Sequence, residues 1–398
     1  MRIGLKIILV KEKHKVKILS IIPSGFCFGL QHLTIDLFFR CKSTLDSHFL
    51  ISRWGNGEIE LLLTKNCIGY SYSWLGMFSR KLDNHNLKMS LYALVKLPIL
   101  YLDFFRLNRR LKPDVLYFAN HHELILLLPI LIFSRRKIVC HMHDPAPAIS
   151  FQKLSFKIYS KVVDHFIAIS ESVRLRTIAL GCPIEKITTI YNGVYIPPFI
   201  SEPRKNGFCK IANWDDKVFI IGITGQMTKN KGHEDLIRAF KLVHDNNPKV
   251  RLLIGGKQKE PFFGELVSLI KSLDLNPYVY FTGWLSEVSS FFQNIDVFVL
   301  GSRHDEGYGL VVAEAMAYTL PVVITNSGGA VEIVQDNETG FIVQKQDVNA
   351  MAEKLITLAG NPEMCRSFGL AGRSRLQDNF NIESQAMKFS TFFSTKND

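Results

Sequence analysis

The chain has 398 residues, of which 47% are hydrophobic and 21% charged, and its formal net charge at pH 7 is +12. This length predicts two domains, and the composition excludes an intrinsically disordered chain and a tandem-repeat protein. The excess of positive charge favours an anionic partner, such as nucleic acid, a membrane surface or a phosphorylated substrate. The sequence shows no nucleic-acid recognition motif, so we expect no nucleic-acid partner.

The sequence is typical of a cytoplasmic protein. Its seven cysteines are scattered and form no pair at metal-ligand spacing, which indicates a reducing compartment. The apolar patch within residues 1–10 is too short for a secretory signal, and the apolar segments 91–107 and 124–133 are interrupted or too short to span a bilayer. We expect a cytoplasmic protein, with peripheral attachment to the cytoplasmic face of the membrane as a further hypothesis.

Strand-like and helix-like segments alternate through the first half of the chain. A short apolar run at 17–23 is followed by the glycine-containing turn 24–29 and by a helical pattern over 30–40. Further elements are predicted as strands at 49–52, 114–118, 138–141 and 165–169 and as a helix at 91–111. Strands that alternate with helices favour a parallel, doubly wound sheet.

A polar, proline-bearing stretch at 196–207 predicts a linker, and a second alternating unit follows it. Its strands are predicted at 218–224, 250–254, 279–282, 297–300 and 321–325, with helices that begin near His233, Pro261, Val288, Gly309 and Ala330. The predicted fold class is α/β, with two doubly wound Rossmann-like domains that face each other across a ligand-binding cleft. We predict domains at 1–200 and 201–378, and a final helix at 379–398 that returns to the N-terminal domain.

The segment 297–343 carries the most specific pattern in the sequence. A buried strand leads into a loop with Glu306, then into Gly307-Tyr308-Gly309 and a helix that bears Glu314. The glycines let backbone N–H groups approach a ligand, and the positive end of the helix dipole suits an anion such as a diphosphate. Glu306 lies at the mouth of the helix and Glu314 about a turn and a half inside it, so both can face one polyhydroxylated ligand.

This segment, with its run EGYGLVVAEAMA, closely resembles the signature of the large family of retaining glycosyltransferases with the glycosyltransferase-B (GT-B) fold. That family, glycosyltransferase family 4-like or glycosyl transferases group 1, includes sucrose-phosphate synthases and bacterial mannosyltransferases. In the C-terminal half the resemblance extends to 225–232, 252–256, 281–283, 321–323 and Gly328-Gly329 with Glu332. In the N-terminal half it is looser and rests on 168–170, 186–187 and 191–194.

The resemblance implies a role for each matching position. Glu314 is expected to bind the ribose hydroxyls of a nucleotide-sugar donor, and Glu306 to act as a catalytic residue held against the transferred sugar. Lys231 is expected to neutralise the diphosphate, whereas Gln226 replaces the arginine that the family usually has there and so removes one charge. The predicted donor-binding residues are Gly225, Gln226, Lys231, Gly307, Tyr308, Gly309, Leu310 and Glu314.

The resemblance points to two further places in the N-terminal domain. The loop with Gly25, Phe26 and Gly29 stands where the family has a glycine-rich loop near the acceptor and the donor phosphates, although the usual glycine pair is absent. His143 is expected to contact the transferred sugar as a second catalytic residue, and its register favours it over His141. In His121-His122-Glu123 the adjacent histidines point in different directions, so we predict no metal site there.

These residues predict a retaining, metal-independent glycosyltransferase that moves a sugar from a UDP- or GDP-sugar to a saccharide or lipid-linked acceptor, in surface polysaccharide or glycolipid biosynthesis. Residues 1–200 would bind the acceptor and 201–378 the nucleotide sugar, which is a substrate; no cofactor and no metal are expected. Two alternatives stay open. One is a sugar-nucleotide epimerase of the same fold, and the other is a non-catalytic nucleotide-sugar-binding subunit, which Gln226 leaves open.

Basic residues are concentrated in the half that would bind the acceptor. They are Lys11, Lys13, Lys15, Lys17, Arg106, Arg109, Arg110 and Lys112. Together they predict reversible, salt-sensitive attachment to an anionic membrane surface, where lipid-linked acceptors reside. The alternative is an ordinary solvated surface.

Overall fold

The structure is a computed structural model that describes residues 15–22, 27, 29–75, 84–144, 150–199, 206–215, 217–285 and 287–395. Strands and helices alternate over most of this length. The strands are β1 (Val16–Ile22), β2 (Leu45–Ser52), β3 (Gly69–Ser73), β4 (Val115–Phe118), β5 (Lys137–Met142), β6 (His165–Ala168), β7 (Ile187–Thr189), β8 (Phe219–Thr224), β9 (Val250–Gly255), β10 (Val279–Gly283), β11 (Val297–Leu300), β12 (Val322–Thr325) and β13 (Gly340–Val343).

The helices connect these strands. They are α1 (Gly29–Arg40), α2 (Glu58–Lys65), α3 (Asn84–Leu111), α4 (Leu124–Leu131), α5 (Ser150–Val162), α6 (Glu171–Ala179), α7 (Asn206–Ile211), α8 (His233–Asn246), α9 (Phe262–Ser272), α10 (Ser289–Phe292), α11 (Leu310–Ala317), α12 (Ala330–Ile333), α13 (Val348–Ala359), α14 (Pro362–Asn379) and α15 (Ile382–Thr395). Within the described ranges, none of them combines the length and the hydropathy that a membrane-spanning helix needs.

The strands form two sheets. The first has the order β3-β2-β1-β4-β5-β6-β7 and the second the order β10-β9-β8-β11-β12-β13. In the second sheet β8 pairs in parallel with both β9 and β11, and β12 pairs in parallel with β11 and β13. The structure therefore confirms the predicted α/β fold class with two Rossmann-like domains.

Apolar strands covered by amphipathic helices hold the second sheet together. Strand β11, with the sequence VFVL, is buried at every position, as expected for a central strand of a parallel sheet with helices on both faces. Helix α8 buries Leu236, Phe240 and Val243 in the same core and leaves Lys241 exposed enough to pair with Asp245 at 2.6 Å. The spacing of three to four residues between the buried positions selects the helix.

The described residues group into two compact units. The first comprises Met1–Met142, Leu154–Ile167 and Ala386–Asp398, and the second comprises His143–Lys153 and Ala168–Gln385, in each case as far as the structure describes them. The end of α15 belongs to the first unit. There the Phe389 ring packs edge-on against Phe38 at 5.4 Å, and the Cys41 thiol donates to the Ala386 carbonyl at 3.2 Å.

Candidate active site

Three loops of the second unit place the candidate residues at one edge of its sheet. They follow β8, β9 and β11, whose parallel pairing brings their carboxyl ends together. The loop after β8 contains Gly225, Gln226 and Lys231, and the loop after β11 contains Glu306. The predicted donor residues therefore converge although about 80 positions of sequence separate them, as the order of parallel strands requires.

Lys231 and Glu306 form an ion pair. The Lys231 ammonium donates to both carboxylate oxygens, at 2.8 and 3.0 Å, and the Ser302 hydroxyl donates to Oε1. Burial raises the pKa of Glu306, but the charge of Lys231 and the hydrogen bonds from Lys231 and Ser302 outweigh it and hold that pKa below its ordinary value. Glu306 is therefore ionised at neutral pH, with its side chain only 13% exposed.

A close backbone contact fixes the position of Lys231. The residue ends a short 3₁₀ turn, and Gly232 follows it in the left-handed conformation with φ of 70°. A Cβ at Gly232 would lie 1.8 Å from the carbonyl oxygen of Gly301, just after β11. Glycine is thus required where the loop after β8 passes the loop that carries Glu306.

Glu314 has the opposite environment. It lies in α11, and among the described residues no group forms a hydrogen bond or an ion pair with its carboxylate. Burial raises its pKa to about 7. A half-buried carboxylate without partners is destabilised, so hydroxyl donors from a ligand would relieve that cost.

The glycines between the two glutamates let the backbone pack closely. A Cβ at Gly307 would lie 2.1 Å from the carbonyl oxygen of His143, and Gly309, with φ of 87°, is the residue that caps α11. Gly309 gives α11 no side-chain cap, and the N–H of Val312 donates to the Gly309 carbonyl at 2.9 Å. Among the described residues no acceptor meets the N–H groups of Leu310 and Val311, which are therefore available to an anion.

Tyr308 points away from such a ligand position. Its side chain is 3% exposed and packs near the rings of Tyr191 and Phe380, with centroids 6.4 and 6.3 Å away. Burial raises the pKa of its hydroxyl well above the ordinary value. The part of Tyr308 that a donor could meet is thus its backbone.

Gln226 contacts Lys259, a cation that was not predicted as a site residue from the sequence. Lys259, in the loop after β9, donates to the side-chain oxygen of Gln226 at 3.1 Å. Both residues are exposed. Beside them Gly225 has φ of 150° and donates its N–H to the Gly255 carbonyl at 3.1 Å, so the two loops lie together. A basic residue just beyond the strand next to β8 was the signal that could have suggested Lys259.

Glu332 was noted in the sequence without a role, and the structure gives it one. Its two carboxylate oxygens accept the N–H groups of Glu171 and Ser172, at 2.8 and 2.7 Å, at the start of α6. Ser170, which caps the same helix, donates to the Gly307 carbonyl at 2.6 Å. Glu332 therefore holds α6 against the glycine loop that precedes α11.

The candidates of the N-terminal half are less complete. Gly25 and Phe26 lie outside the described residues, as do Lys11 and Lys13, and Gly29 is the first residue of α1. His143 follows β5, is 8% exposed, and belongs to the same unit as Glu306. His141 belongs to the other unit, where it shares a hydrogen bond of 2.6 Å with the Tyr117 hydroxyl, and burial lowers its pKa to about 3.

The cluster His121-His122-Glu123 forms a short 3₁₀ helix in which the two imidazole centroids are 3.9 Å apart, so the expectation that the two rings point in different directions is wrong. Glu123 is buried, which raises its pKa well above the ordinary value despite hydrogen bonds from the backbone of Asn120 and Ala119. Within the described residues, no group of three or more His, Cys, Asp or Glu side chains is placed so that it could hold a metal ion.

Two family models match the chain. Glycosyl transferases group 1 matches residues 207–375, which contain Lys231, Glu306 and Glu314, and Glycosyltransferase Family 4 matches residues 79–196. Together the two matches cover most of the chain.

Curated relatives and solved structures agree with these matches. Over 225 residues the chain is 35% identical to the capsular polysaccharide biosynthesis glycosyltransferase CapM of Staphylococcus aureus, covering 54% of this chain and 58% of CapM. It is 29% identical to a GDP-mannose-dependent phosphatidylinositol monomannoside mannosyltransferase of Mycolicibacterium smegmatis, covering 44% of this chain and 47% of that protein. The matches thus span only about half the length of these curated relatives.

The fold is also shared over nearly the whole chain. The crystal structure of Anabaena HepE in complex with UDP and glucose superposes with a TM-score of 0.78 at 20% identity, and the match covers 95% of this chain and 99% of that one. The chain therefore belongs to the glycosyl transferases group 1, with a glycosyltransferase family 4-like N-terminal part and the GT-B fold.

Proposed function

We propose that the protein is a retaining glycosyltransferase that moves a sugar from a UDP- or GDP-sugar to a saccharide or lipid-linked acceptor. The observation that carries this proposal is the ionised Lys231–Glu306 pair in the same unit as α11, whose first N–H groups have no side-chain cap and whose Glu314 has no partner among the described residues. The relatives support it, since CapM is named for capsular polysaccharide biosynthesis and HepE was solved with UDP and glucose.

In the proposed reaction, the bond between the anomeric carbon and the diphosphate oxygen breaks while the acceptor oxygen bonds to that carbon on the same face. The acceptor's proton passes to the departing phosphate. Lys231 and the first N–H groups of α11 would stabilise the charge that develops on the diphosphate. Glu306 would lie against the transferred sugar, where an ionised carboxylate stabilises positive charge at the anomeric carbon, and His143 would contact the same sugar.

The proposed roles of the two glutamates predict different defects. Glu314→Gln should weaken binding of the cognate nucleoside diphosphate by about 1.5 to 3 kcal/mol, because ribose hydroxyls lose a charged acceptor. Glu306→Gln should spare that affinity and lower turnover about 100-fold or more. Calorimetry with UDP and with GDP measures the first effect and identifies the base. Equal losses of nucleotide affinity in both variants would show that the two roles are misplaced.

An activity assay separates this proposal from the two alternatives. The protein is incubated with a panel of nucleotide sugars, with and without lipid-linked or saccharide acceptors, and released nucleoside diphosphate is measured. An epimerase would convert the donor with no acceptor, and a binding subunit would bind the donor and release nothing. Because we propose that Lys231 and backbone N–H groups meet the diphosphate charge, transfer should persist in EDTA; loss in EDTA that magnesium or manganese restores would contradict the metal-independent mechanism.

A further inference from the structure

Helix α3 leaves an apolar face exposed to solvent. Ala93, Leu100, Phe104 and Leu107 are buried, as the inward face of the helix. The opposite side also carries large apolar side chains, which we call the apolar face of α3: Leu91, Leu94, Val95, Ile99, Leu102 and Phe105, each between 40% and 68% exposed. Spacings of three, four and seven residues put these six on one side of the helix.

Neighbouring elements of the same unit extend this face. A groove of about 540 Å³ is lined by Phe104 and Phe105 of α3 and by Phe133, Arg135 and Arg136, which follow α4. Phe133 is 85% exposed. A second groove, of about 660 Å³, is lined by the same two arginines and by Ile158 and Lys161 of α5. Exposed apolar side chains of α3, of the segment after α4 and of α5 therefore form one continuous surface.

Cations outnumber anions on this surface. Helix α3 contains five Lys and Arg residues and a single acidic residue, Asp103, which accepts a hydrogen bond from Ser73 at 3.0 Å. Arg109 and Arg110 are exposed at its C-terminal end. The neighbouring elements add the cations Arg135, Arg136, Lys137, Lys157 and Lys161. They also add one exposed acid, Asp164, which lines the second groove and accepts the N–H of Ile138 at 2.7 Å. Apolar side chains surrounded by cations match an anionic lipid surface, which presents phosphates above hydrocarbon.

We propose that this surface of the first unit inserts its apolar side chains into the interface of an anionic phospholipid bilayer. A second copy of the chain fits less well, because a two-fold contact through this surface would bring arginines and lysines of both copies together. The inference deepens the proposed function, since it names the place where a lipid-linked acceptor is met. It also changes the expectation from the sequence, because inserted side chains hold the protein when salt screens the cations.

Flotation of the full-length protein with vesicles tests the proposal, without donor or acceptor. With vesicles of equal parts phosphatidylglycerol and phosphatidylcholine, the wild type should bind at low salt and keep a bound fraction at 1 M salt. The variant Val95→Ser/Phe105→Ser/Phe133→Ser should lose at least tenfold in its partition coefficient. Arg109→Gln/Arg110→Gln should weaken binding at low salt and leave the bound fraction at 1 M salt nearly unchanged.

The matched control is Leu242→Ser/Val267→Ser, which removes two exposed apolar side chains from the second unit and should bind like the wild type. Thermal unfolding of each variant shows whether it folds. A wild type that ignores anionic vesicles, or a folded triple variant that binds them as tightly as the wild type, overturns the proposal. So does wild-type self-association in sedimentation experiments that the triple variant abolishes, with no vesicle binding. None of these results would touch sugar transfer to a soluble acceptor, which the activity assay decides separately.

Discussion

Glu306 and Glu314 lie eight positions apart, and the structure shifts their pKa values in opposite directions. An adjacent ammonium and a hydroxyl donor keep Glu306 ionised, whereas burial without a partner raises the pKa of Glu314 to about 7. Environments that push the pKa values of two carboxyl groups apart are a sign of separate roles. The difference agrees with the proposed roles, in which one carboxylate already faces a positive charge and the other awaits hydroxyl donors.

Lys259 can supply the charge that is lost where Gln226 replaces the family's arginine. Its ammonium donates to the Gln226 side chain, which places it beside the proposed diphosphate position. We expect Lys259→Gln to weaken binding of the nucleoside diphosphate about fivefold, or about 1 kcal/mol, and to leave binding of the nucleoside unchanged. Calorimetry with both ligands measures the difference.

Two further variants make this prediction specific. Lys257→Gln removes an exposed lysine two positions away in the same loop and should leave both affinities unchanged. Gln226→Arg added to Lys259→Gln should restore diphosphate binding, because the arginine returns the charge to the usual position. If Lys257→Gln weakens binding as much as Lys259→Gln does, the loop acts through its general charge and Lys259 has no special place.

For individual residues, local sequence patterns predicted some members of the candidate site. They did not predict the residues whose role depends on contacts between distant parts of the chain. Glu306 and Glu314 belong to one short motif, and Lys231 follows a strand-end glycine, so all three could be singled out. The contact of Lys259 with Gln226 spans 33 positions, and that of Glu332 with Ser172 spans 160. Such contacts depend on how loops meet at a sheet edge, which periodicity does not describe.

At the scale of elements, several apolar strands were predicted closely, but β13, with the mostly buried sequence GFIV, was not predicted. Strands β8, β9 and β11 are mostly buried and rich in Val, Ile, Leu and Phe, and their observed bounds agree with the predicted ones to within a residue. The strand β3, with the sequence GYSYS, was not predicted, because it lies at the edge of its sheet and is largely polar. Helix α7 begins at Asn206, inside the predicted linker, since short polar segments carry little periodic signal.

The crossing of two loops at Gly232 gives a prediction for this scale. Gly232 and Gly283 both adopt the left-handed conformation, with φ of 70° and 72°. A Cβ at Gly283 would have no atom within 4 Å, whereas one at Gly232 would clash with the backbone of Gly301. Gly283→Ala should therefore lower the free energy of unfolding by about 1 to 2 kcal/mol, the cost of the conformation alone.

Gly232→Ala should lower it by more than about 3 kcal/mol, since the two loops must also separate. Chemical denaturation of both variants measures the difference. Any folded Gly232→Ala protein should also lose nucleotide affinity, because Lys231 moves with the loop. Equal destabilisation by the two substitutions would show that the loops separate easily and that the crossing does not fix Lys231.

For the whole molecule, the alternation of strands and helices was enough to predict the two Rossmann-like domains, because parallel strands need crossover helices. The compact units do not coincide with continuous stretches of the chain. Residues His143–Lys153 cluster with the second unit, and the chain end from Ala386 clusters with the first. These groupings arise from contacts between segments that are far apart in sequence, such as that of Phe389 with Phe38. Local sequence patterns do not describe such contacts.

The second unit contains two buried groups, His233 and Glu314, whose protonation should change its free energy of unfolding in opposite directions as the pH falls. Burial, helped by the charge of Lys231, lowers the pKa of His233 to about 4, so the unfolded chain takes up a proton near pH 6.5 that the folded unit refuses. This contribution to stability is complete above pH 6.5 and is lost on acidification, by about 2 kcal/mol between pH 7.5 and pH 5. Glu314, with its raised pKa, holds a proton in the folded unit that the unfolded chain has lost, so its contribution grows over the same interval.

The two contributions can be separated with variants measured by scanning calorimetry at pH 7.5 and pH 5. In the wild type, acidification lowers the stability of the second unit because His233 takes up a proton in the unfolded chain. His233→Gln removes this loss. Between pH 7.5 and pH 5 the free energy of unfolding of the variant should therefore fall by about 2 kcal/mol less than that of the wild type. Glu314→Gln removes the stability that the wild type gains on acidification, so between pH 7.5 and pH 5 its free energy of unfolding should fall by a similar amount more than that of the wild type. His32→Gln, at an exposed position of the first unit, is the control and should follow the wild type at both pH values. A His233→Gln protein with the pH dependence of the wild type would mean that the pKa of this imidazole is the same in the folded and the unfolded chain, which would contradict the prediction.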